Sequence, residues 1–178
     1  MSDSRQQEER RQSSARIKNM SLQQRLELIL EAVKYCQWVR ALGMPASCYT
    51  KALREPVHFL WERQRGSKNQ APAFRSKAAA ALRFGTRELV YDHAVPFRYL
   101  QEELLQLSDP TTESVNAILS RSIGAVLITE EEDKRLSGAG YKESMPADWD
   151  RVDPLARYKA VGIDLIENDD VGSSRHDA

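Results

Sequence analysis

The sequence predicts an α+β protein that is predominantly helical. Apolar residues recur at helical spacing over much of the chain, first at Leu22, Leu26, Ile29, Val33, Cys36 and Val39. In contrast, only two short segments, RELVYDHAVPF and GAVLI, have the composition of strands. The length of 178 residues suits a single domain that can bury a real core.

We expect a flexible arm, one globular domain and a disordered tail. The first twenty residues are Gln, Ser, Arg and Glu with almost nothing apolar, so they form an arm or extend the next helix. The domain divides into a basic helical part, a strand–helix segment, and a C-terminal wrap with a helix. The boundaries are 1–20 for the arm, 21–86, 87–137 and 138–167 within the domain 21–167, and 168–178 for the tail.

Helix signals are clearest in the first half of the chain. Ser21 and Gln24 form a capping box before the first helix, in which Tyr35 and Trp38 are expected to widen the buried face. A second helix follows Pro45, and Pro56 either kinks it or starts its second half. The segment FRSKAAAALRF predicts a third helix. His58 is expected to be a packed or partly exposed histidine, with no acidic or Cys neighbour at ligand spacing.

The second half of the chain has capping signals as well. A helix from Phe97 ends before Pro110, and Thr111 or Thr112 caps the next one. Thr129 and Glu132 form a second capping box directly after GAVLI. Asp153 is expected to cap a last helix, DPLARYKAVG.

Composition excludes several classes of protein. The chain has no run of 18 apolar residues, so no membrane-spanning helix is predicted, and its first residues contain no apolar signal sequence. Cys36 and Cys48 form no CxxC pair, and only three histidines are present, so a zinc knuckle and a disulfide scaffold are not expected. We expect a cytoplasmic protein that does not contact a membrane.

The net charge of zero conceals a strong asymmetry. Residues 1–90 hold 17 Lys and Arg against 8 Asp and Glu, whereas residues 91–178 hold 9 against 18. Such asymmetry indicates a polyanion partner, a self-complementary pair of surfaces, or a solvated face neutralised by the acidic half. A nucleic-acid track would use the bases Arg63, Arg65, Lys68, Arg75, Lys77, Arg83 and Arg87. The acidic half is a predicted docking face for a partner protein or a second copy.

Asp92 and His93 form the constellation with the clearest chemical meaning. If the strand ends there and the backbone turns at Pro96, the imidazole can take a proton from water while the carboxylate holds a divalent cation. A second oxygen ligand is expected on the helix after GAVLI, where Asp133 follows three glutamates that suit the first helical turn.

These segments resemble the HNH, or ββα-metal, nuclease motif. YDHAVP resembles its first strand, and AVLITEEEDKRL resembles its second strand and helix. The resemblance covers about fifty residues, from Leu89 to Leu136 within the segment 87–137, and implies that Asp92 and Asp133 bind metal while His93 is the general base.

The predicted function is therefore a metal-dependent endonuclease that hydrolyses DNA with Mg²⁺ or another divalent cation. Arg87 is the predicted phosphate or transition-state contact, with Lys134 and Arg135 behind it. RNA remains open as a substrate. The alternative is a non-catalytic helical accessory or regulatory factor that binds nucleic acid or protein and carries a degenerate nuclease-like segment.

Overall fold

The computed structural model describes residues 17, 19–62, 72–83, 86–122 and 124–168. These residues form a mainly helical protein with one small mixed sheet, which confirms the predicted α+β class. Most of the predicted arm, most of the predicted tail and the segment 63–71 lie outside the described residues.

The longest helix, α1 (Leu22–Ala41), begins at the predicted capping box. The Ser21 hydroxyl accepts a hydrogen bond from the Gln24 amide at 3.2 Å, and the Gln24 side chain accepts one from the Ser21 amide at 2.9 Å. Gly43 then turns the chain with a φ of +75°. The apolar face of α1 is buried through Leu26, Ile29, Val33, Cys36 and Val39.

Two aromatic residues of α1 lie outside the core, so the prediction that they widen the buried face is wrong. Tyr35 is 48% exposed and Trp38 is 61% exposed. With 3.6 residues per turn, Trp38 lies about 200° around the helix axis from the buried Cys36. The buried stripe of α1 is therefore narrow, and a row of apolar side chains faces outward on the other side.

The second helix, α2 (Thr50–Pro56), runs directly into a π-helical turn over Val57–Trp61. Pro56 has no N–H to donate to the carbonyl four residues earlier, and the wider i→i+5 pattern begins at the next residue. Pro56 therefore changes the type of helical turn without ending the helical path, and this change occurs where His58 and Glu62 are placed.

The segment predicted as a third helix begins with a strand, and the helix in it is shorter than expected. β1 (Phe74–Ser76) precedes a short helix, α3 (Lys77–Ala80). Phe74 and Arg75 pair with two residues of a later strand, and this pairing overrides the helix propensity of the sequence. Ser76 fixes the start of α3, because its hydroxyl accepts a hydrogen bond from the Ala79 amide at 3.0 Å.

The two predicted strands form and pair with each other. β2 (Leu89–His93) lies antiparallel to a strand over Ala125–Thr129, with Leu89 opposite Thr129 and His93 opposite Ala125. Two helices connect them, α4 (Phe97–Leu105) and α5 (Thr112–Arg121), and the second strand is β3. Both helices pack against α1 in a helical core that includes Leu53, Leu104 and Val115.

The helix that follows β3, α6 (Glu130–Gly138), packs against both β2 and β3. Its capping box is the predicted one: the Thr129 hydroxyl accepts from the Glu132 amide at 3.2 Å, and the Glu132 carboxylate accepts from the Thr129 amide at 2.8 Å. Glu132 is buried and also accepts a hydrogen bond from the Ser76 hydroxyl at 2.6 Å. This carboxylate therefore joins α6 to the end of β1.

The chain closes with α7 (Ala156–Ala160) and β4 (Leu165–Glu167). The predicted last helix begins two residues later than expected, and the Asp153 carboxylate accepts a hydrogen bond from the Leu155 amide at 3.0 Å. β4 was not predicted; it pairs antiparallel with β1 and completes the sheet order β2-β3-β1-β4. Asn168, the first residue of the predicted disordered tail, is buried and bonded to Ala73 and Pro72.

Candidate metal centre

The side chains of two histidines, His58 and His93, meet at the carboxylate of Glu62. Nδ1 of His58 lies 2.8 Å from Oε2 of Glu62, and Nε2 of His93 lies 3.0 Å from Oε1. One ligand atom from each residue lies within 4.8 Å of the other two. Within the described ranges, no other three His, Cys, Asp or Glu side chains come together in this way.

The backbone of three elements brings these side chains together. His58 lies in the π-helical turn and Glu62 directly after it, four residues on, so both side chains point to one side. His93 ends β2, and Tyr91, two residues earlier on the same face, donates a hydrogen bond from its hydroxyl to Glu62 at 3.3 Å. Gly124, with a φ of +80°, approaches Glu62 just before β3.

The environment of Glu62 keeps its carboxyl group ionised. The Glu62 side chain is only 2% exposed, whereas those of His58 and His93 are each 20% exposed. Burial acts to raise the pKa of Glu62, but the hydrogen bonds and charges of the two histidines outweigh burial and lower this pKa to about 2. A negatively charged oxygen is thus held between two imidazole nitrogens.

Aromatic rings fix the orientation of both imidazoles. The ring of Tyr91 packs edge-on against His58 and against His93, with centroid distances of 5.8 Å in each case. Phe59 packs against His58 in the same edge-on manner at 5.0 Å. Rings held in this way lose little freedom when their nitrogens bind a ligand.

Two imidazole nitrogens and one carboxylate oxygen are a suitable donor set for a divalent transition-metal ion. Zn²⁺, Mn²⁺ and Fe²⁺ are bound by such mixed nitrogen and oxygen ligands, whereas Mg²⁺ prefers oxygen alone. Three protein ligands leave coordination positions open for water or a substrate, as in catalytic sites. The donor set therefore favours a transition metal over the Mg²⁺ named in the sequence prediction.

Asp92, the predicted metal ligand, faces away from this group. Adjacent residues of a strand point to opposite faces, and β2 keeps its strand geometry through His93. The Asp92 carboxylate accepts hydrogen bonds from the Arg157 guanidinium and, at 2.7 Å, from the Tyr158 hydroxyl. Its charge is thus compensated inside the protein, and the structure does not bring it together with the ring of His93.

Arg157 donates most of the hydrogen bonds in the network that contains Asp92 and Tyr158. It is 1% exposed, and besides Asp92 its guanidinium donates to the main-chain carbonyls of His93, Ala94, Tyr141 and Lys142. Burial and the neighbouring Asp92 charge raise the pKa of Tyr158 well above its usual value, so Tyr158 stays a hydrogen-bond donor. The network ties the end of β2, and with it the backbone of His93, to α7.

The predicted ligand and bases of α6 have other partners. The Asp133 carboxylate accepts from Lys142 at 3.2 Å and does not join the group around Glu62. Lys134 forms an ion pair with Glu130 at 2.7 Å, one turn earlier on the same helix. Arg135 donates to the Val161 carbonyl at 3.5 Å.

The predicted nucleic-acid track is only partly described. Arg63, Arg65 and Lys68 lie outside the described residues. Arg83 and Arg87 are exposed, Arg75 is partly buried in β1, and Lys77 forms an ion pair with Asp164 at 3.1 Å. A phosphate track along these residues, including the catalytic contact at Arg87, stays a prediction.

A groove opens beside the metal-ligand group. His93 lines this groove as well as contacting Glu62, and Pro96 and Phe97 lie along it. The remaining lining residues are charged, four cations and two carboxylates: Arg54, Arg98, Lys142, Arg157, Asp92 and Glu143.

Sequence reasoning missed two of the three candidate ligands. His58 was expected to have no acidic neighbour at ligand spacing, which is wrong, because Glu62 lies four residues on and therefore on the same helical face. The signal was present as the spacing His-x-x-x-Glu within a helical segment. This spacing alone does not predict a metal site, because the third ligand, His93, lies 31 residues from Glu62 in the sequence.

Comparison of the chain with protein-family models, curated proteins and solved structures finds no match. The described part of the chain contains no helix that is long and apolar enough to cross a bilayer. The function must therefore be inferred from the geometry of the site.

Proposed function

We propose that this chain is a metal-dependent hydrolase that cleaves phosphodiester bonds in DNA, with its metal ion held by His58, Glu62 and His93. The observation that carries the proposal is the convergence of their ligand atoms within 4.8 Å around an ionised, buried carboxylate. A site with two imidazoles, one carboxylate and open positions suits hydrolytic chemistry.

The surroundings of the site favour a phosphodiester substrate. The groove that His93 lines carries more cations than carboxylates, which favours an anionic substrate. In addition, β2 and β3 lie antiparallel, with α4 and α5 between them in the chain, and α6 follows β3 and packs on both strands. That order is the one expected from the resemblance of YDHAVP and AVLITEEEDKRL to the ββα-metal nuclease motif.

In this proposal His93 is a metal ligand and not the general base that the sequence predicts, and the bound metal ion would activate the water instead. A bound ion supplies a Lewis acid for the phosphoryl oxygen and lowers the pKa of water. The two histidines present to the ion the nitrogens that now face Glu62. Tyr91 keeps the Glu62 carboxylate oriented through its hydroxyl, and Arg157 holds the backbone at His93.

Metal binding and DNA cleavage test the proposal together. Calorimetry of the full chain with Zn²⁺, Mn²⁺ and Co²⁺ should show one site, and Co²⁺ should give visible absorption typical of nitrogen and oxygen ligands. The same ions should support nicking of supercoiled plasmid DNA. His58→Gln, Glu62→Gln and His93→Gln should each lose both metal binding and nicking.

A matched control is available for the histidine variants. His176→Gln makes the same chemical change at the third histidine of the sequence and should leave metal binding and nicking unchanged. A parent chain that binds none of these ions, or that nicks DNA equally well after chelation, would overturn the proposal. The histidines and Glu62 would then form a structural ion-pair cluster, and the non-catalytic accessory factor would be the better interpretation.

A further inference from the structure

Five separate parts of the fold form the charged groove beside His93, and Arg157 of α7 is one of its lining residues. Arg54 comes from α2, Asp92 and His93 from β2, Arg98 from the first turn of α4, and Lys142 from the segment after α6. These residues are distant in sequence, so no run of basic residues in the chain reveals the groove.

Not all of its cations are available to a ligand. Arg157 is buried and binds Asp92, and Lys142 shares its charge with Asp133 at 3.2 Å, although its side chain is 60% exposed. Arg98 is exposed, and among the described residues its side chain bonds to neutral groups, the hydroxyls of Tyr99 and Ser144, each at 3.1 Å. Arg54 is exposed, and its side chain makes no hydrogen bond or ion pair with any residue that the structure describes.

Within the described part of the chain neither Arg54 nor Arg98 forms an ion pair, and the groove that they line also contains the Glu143 carboxylate. A guanidinium presents several N–H donors in a planar fork that matches the oxygens of a phosphate group. The neighbouring Phe97 is partly buried and lines the same groove, which gives a sugar or base an apolar surface to pack on.

The position of the groove relates it to the metal-ligand group. His93 takes part in both, since its Nε2 faces Glu62 and the residue is also among those that line the groove. A strand bound in the groove thus passes next to the proposed metal ion.

We propose that Arg54 and Arg98 bind the phosphate backbone of a nucleic-acid strand and present the next phosphate to the site at His58, Glu62 and His93. The presentation of the next phosphate to that site rests on the proposed hydrolase function. The binding itself requires no metal, because it depends on charge and hydrogen bonds alone.

The test measures binding by the full chain in the presence of a chelator. Fluorescence anisotropy with a labelled single-stranded DNA oligonucleotide should show binding that weakens with salt, at a slope of about −0.7 in log–log form per phosphate contact. Arg54→Gln and Arg98→Gln should each weaken binding about tenfold and reduce the slope by about one contact. Arg98→Lys, which keeps the charge, should recover part of the loss.

Controls separate the groove from general surface charge and from smaller phosphates. Lys34→Gln and Lys159→Gln remove exposed cations that do not line the groove, and both should bind DNA as the parent does. A mononucleotide or inorganic phosphate should compete only weakly if the ligand is a strand. Strong competition by either would show that the groove binds a free phosphate group, and would contradict the proposal that its ligand is a nucleic-acid strand.

The outcomes also separate this inference from the proposed hydrolase function. Arg54→Gln and Arg98→Gln should bind metal with the affinity of the parent. If the parent binds DNA through these two arginines but binds no metal, the proposed hydrolase function is wrong and the proposed nucleic-acid groove is supported. DNA binding that is unchanged in the double variant, or absent in the parent, would overturn the groove whatever the metal result.

Discussion

The guanidinium of Arg157 binds both the carboxylate of Asp92 and the main-chain carbonyl of His93. One buried side chain thus neutralises the residue that the sequence assigns to a metal and holds the backbone of the residue beside it. The two adjacent residues of β2 serve different networks, Asp92 the one around Arg157 and His93 the candidate metal centre. We therefore expect substitutions of Asp92 and Arg157 to change the free energy of unfolding, and substitutions of His93 to change metal binding.

The first prediction concerns Arg157. Replacing it by Met should lower the free energy of unfolding by about 3–5 kcal/mol, because Asp92 is left as a buried charge without a cation. Urea denaturation measures the change. Arg121→Met removes an arginine whose ion pair with Glu103 is about half exposed, and it should cost less than about 1 kcal/mol. Equal effects of the two changes would show that the Arg157 network contributes no more than a surface pair.

The second prediction distinguishes the two roles assigned to Asp92. Asp92→Asn should lower the free energy of unfolding by about 2 kcal/mol or more, because Arg157 loses its counter-charge. It should leave the affinity for Zn²⁺ or Co²⁺ close to that of the parent. If Asp92 were a metal ligand, the same change would weaken metal binding and, by relieving repulsion, leave stability unchanged or higher. Calorimetry and urea denaturation on one preparation decide between these outcomes.

The third prediction concerns the buried carboxylate that joins α6 to β1. Glu132→Ala removes the acceptor for the Ser76 hydroxyl and the Thr129 amide, so the free energy of unfolding should fall by about 2 kcal/mol. Its neighbour Glu131 is exposed on the same helical turn, and Glu131→Ala should leave thermal stability nearly unchanged. Similar losses for both variants would mean that charge at the helix start, and not the buried bonds, stabilises this region.

Features of the fold that depend on local chemistry could be predicted from the sequence. The capping boxes at Ser21 and Thr129 and the two apolar strands form as expected, because each depends on residues within a few positions of one another. β1 and β4 have three residues each and are stabilised by pairing with distant strands. Local propensity contains no information on that pairing, so both strands were missed.

The candidate site was predictable only in part, for a similar reason. His93 was recognised from the local pattern YDHAVP, but its partners depend on a π-helical turn that packs against β2. Asp92 was predicted to bind metal but binds Arg157, a residue 65 positions away in the sequence that no local pattern connects with it. Side chains that meet through tertiary packing are determined by the fold as a whole, and single-sequence patterns do not specify them.

The fourth prediction concerns the identity of the metal. A donor set with two imidazoles should favour Zn²⁺ or Co²⁺ over Mg²⁺. At a free Zn²⁺ concentration about 100 times the Kd, binding should stabilise the protein by about 2.7 kcal/mol and raise Tm by roughly 5–10 °C. Thermal unfolding with each ion, and after chelation, measures the effect. Equal stabilisation by Mg²⁺, or stabilisation that persists in Glu62→Gln, would place the ion at an oxygen-rich site elsewhere.

The last prediction uses the lowered pKa of Glu62. Because this pKa is about 2 in the folded protein and 4.5 ordinarily, the ionised carboxylate stabilises the fold above about pH 4.5. That contribution is lost as the pH falls from 4.5 towards 2. Glu62→Gln should therefore be less stable than the parent near pH 6, and the difference in urea midpoint should shrink near pH 3. Glu55→Gln, at an exposed position of α2, should match the parent at both values. A difference for Glu62→Gln that is constant with pH would show that the histidines do not hold Glu62 in its charged form.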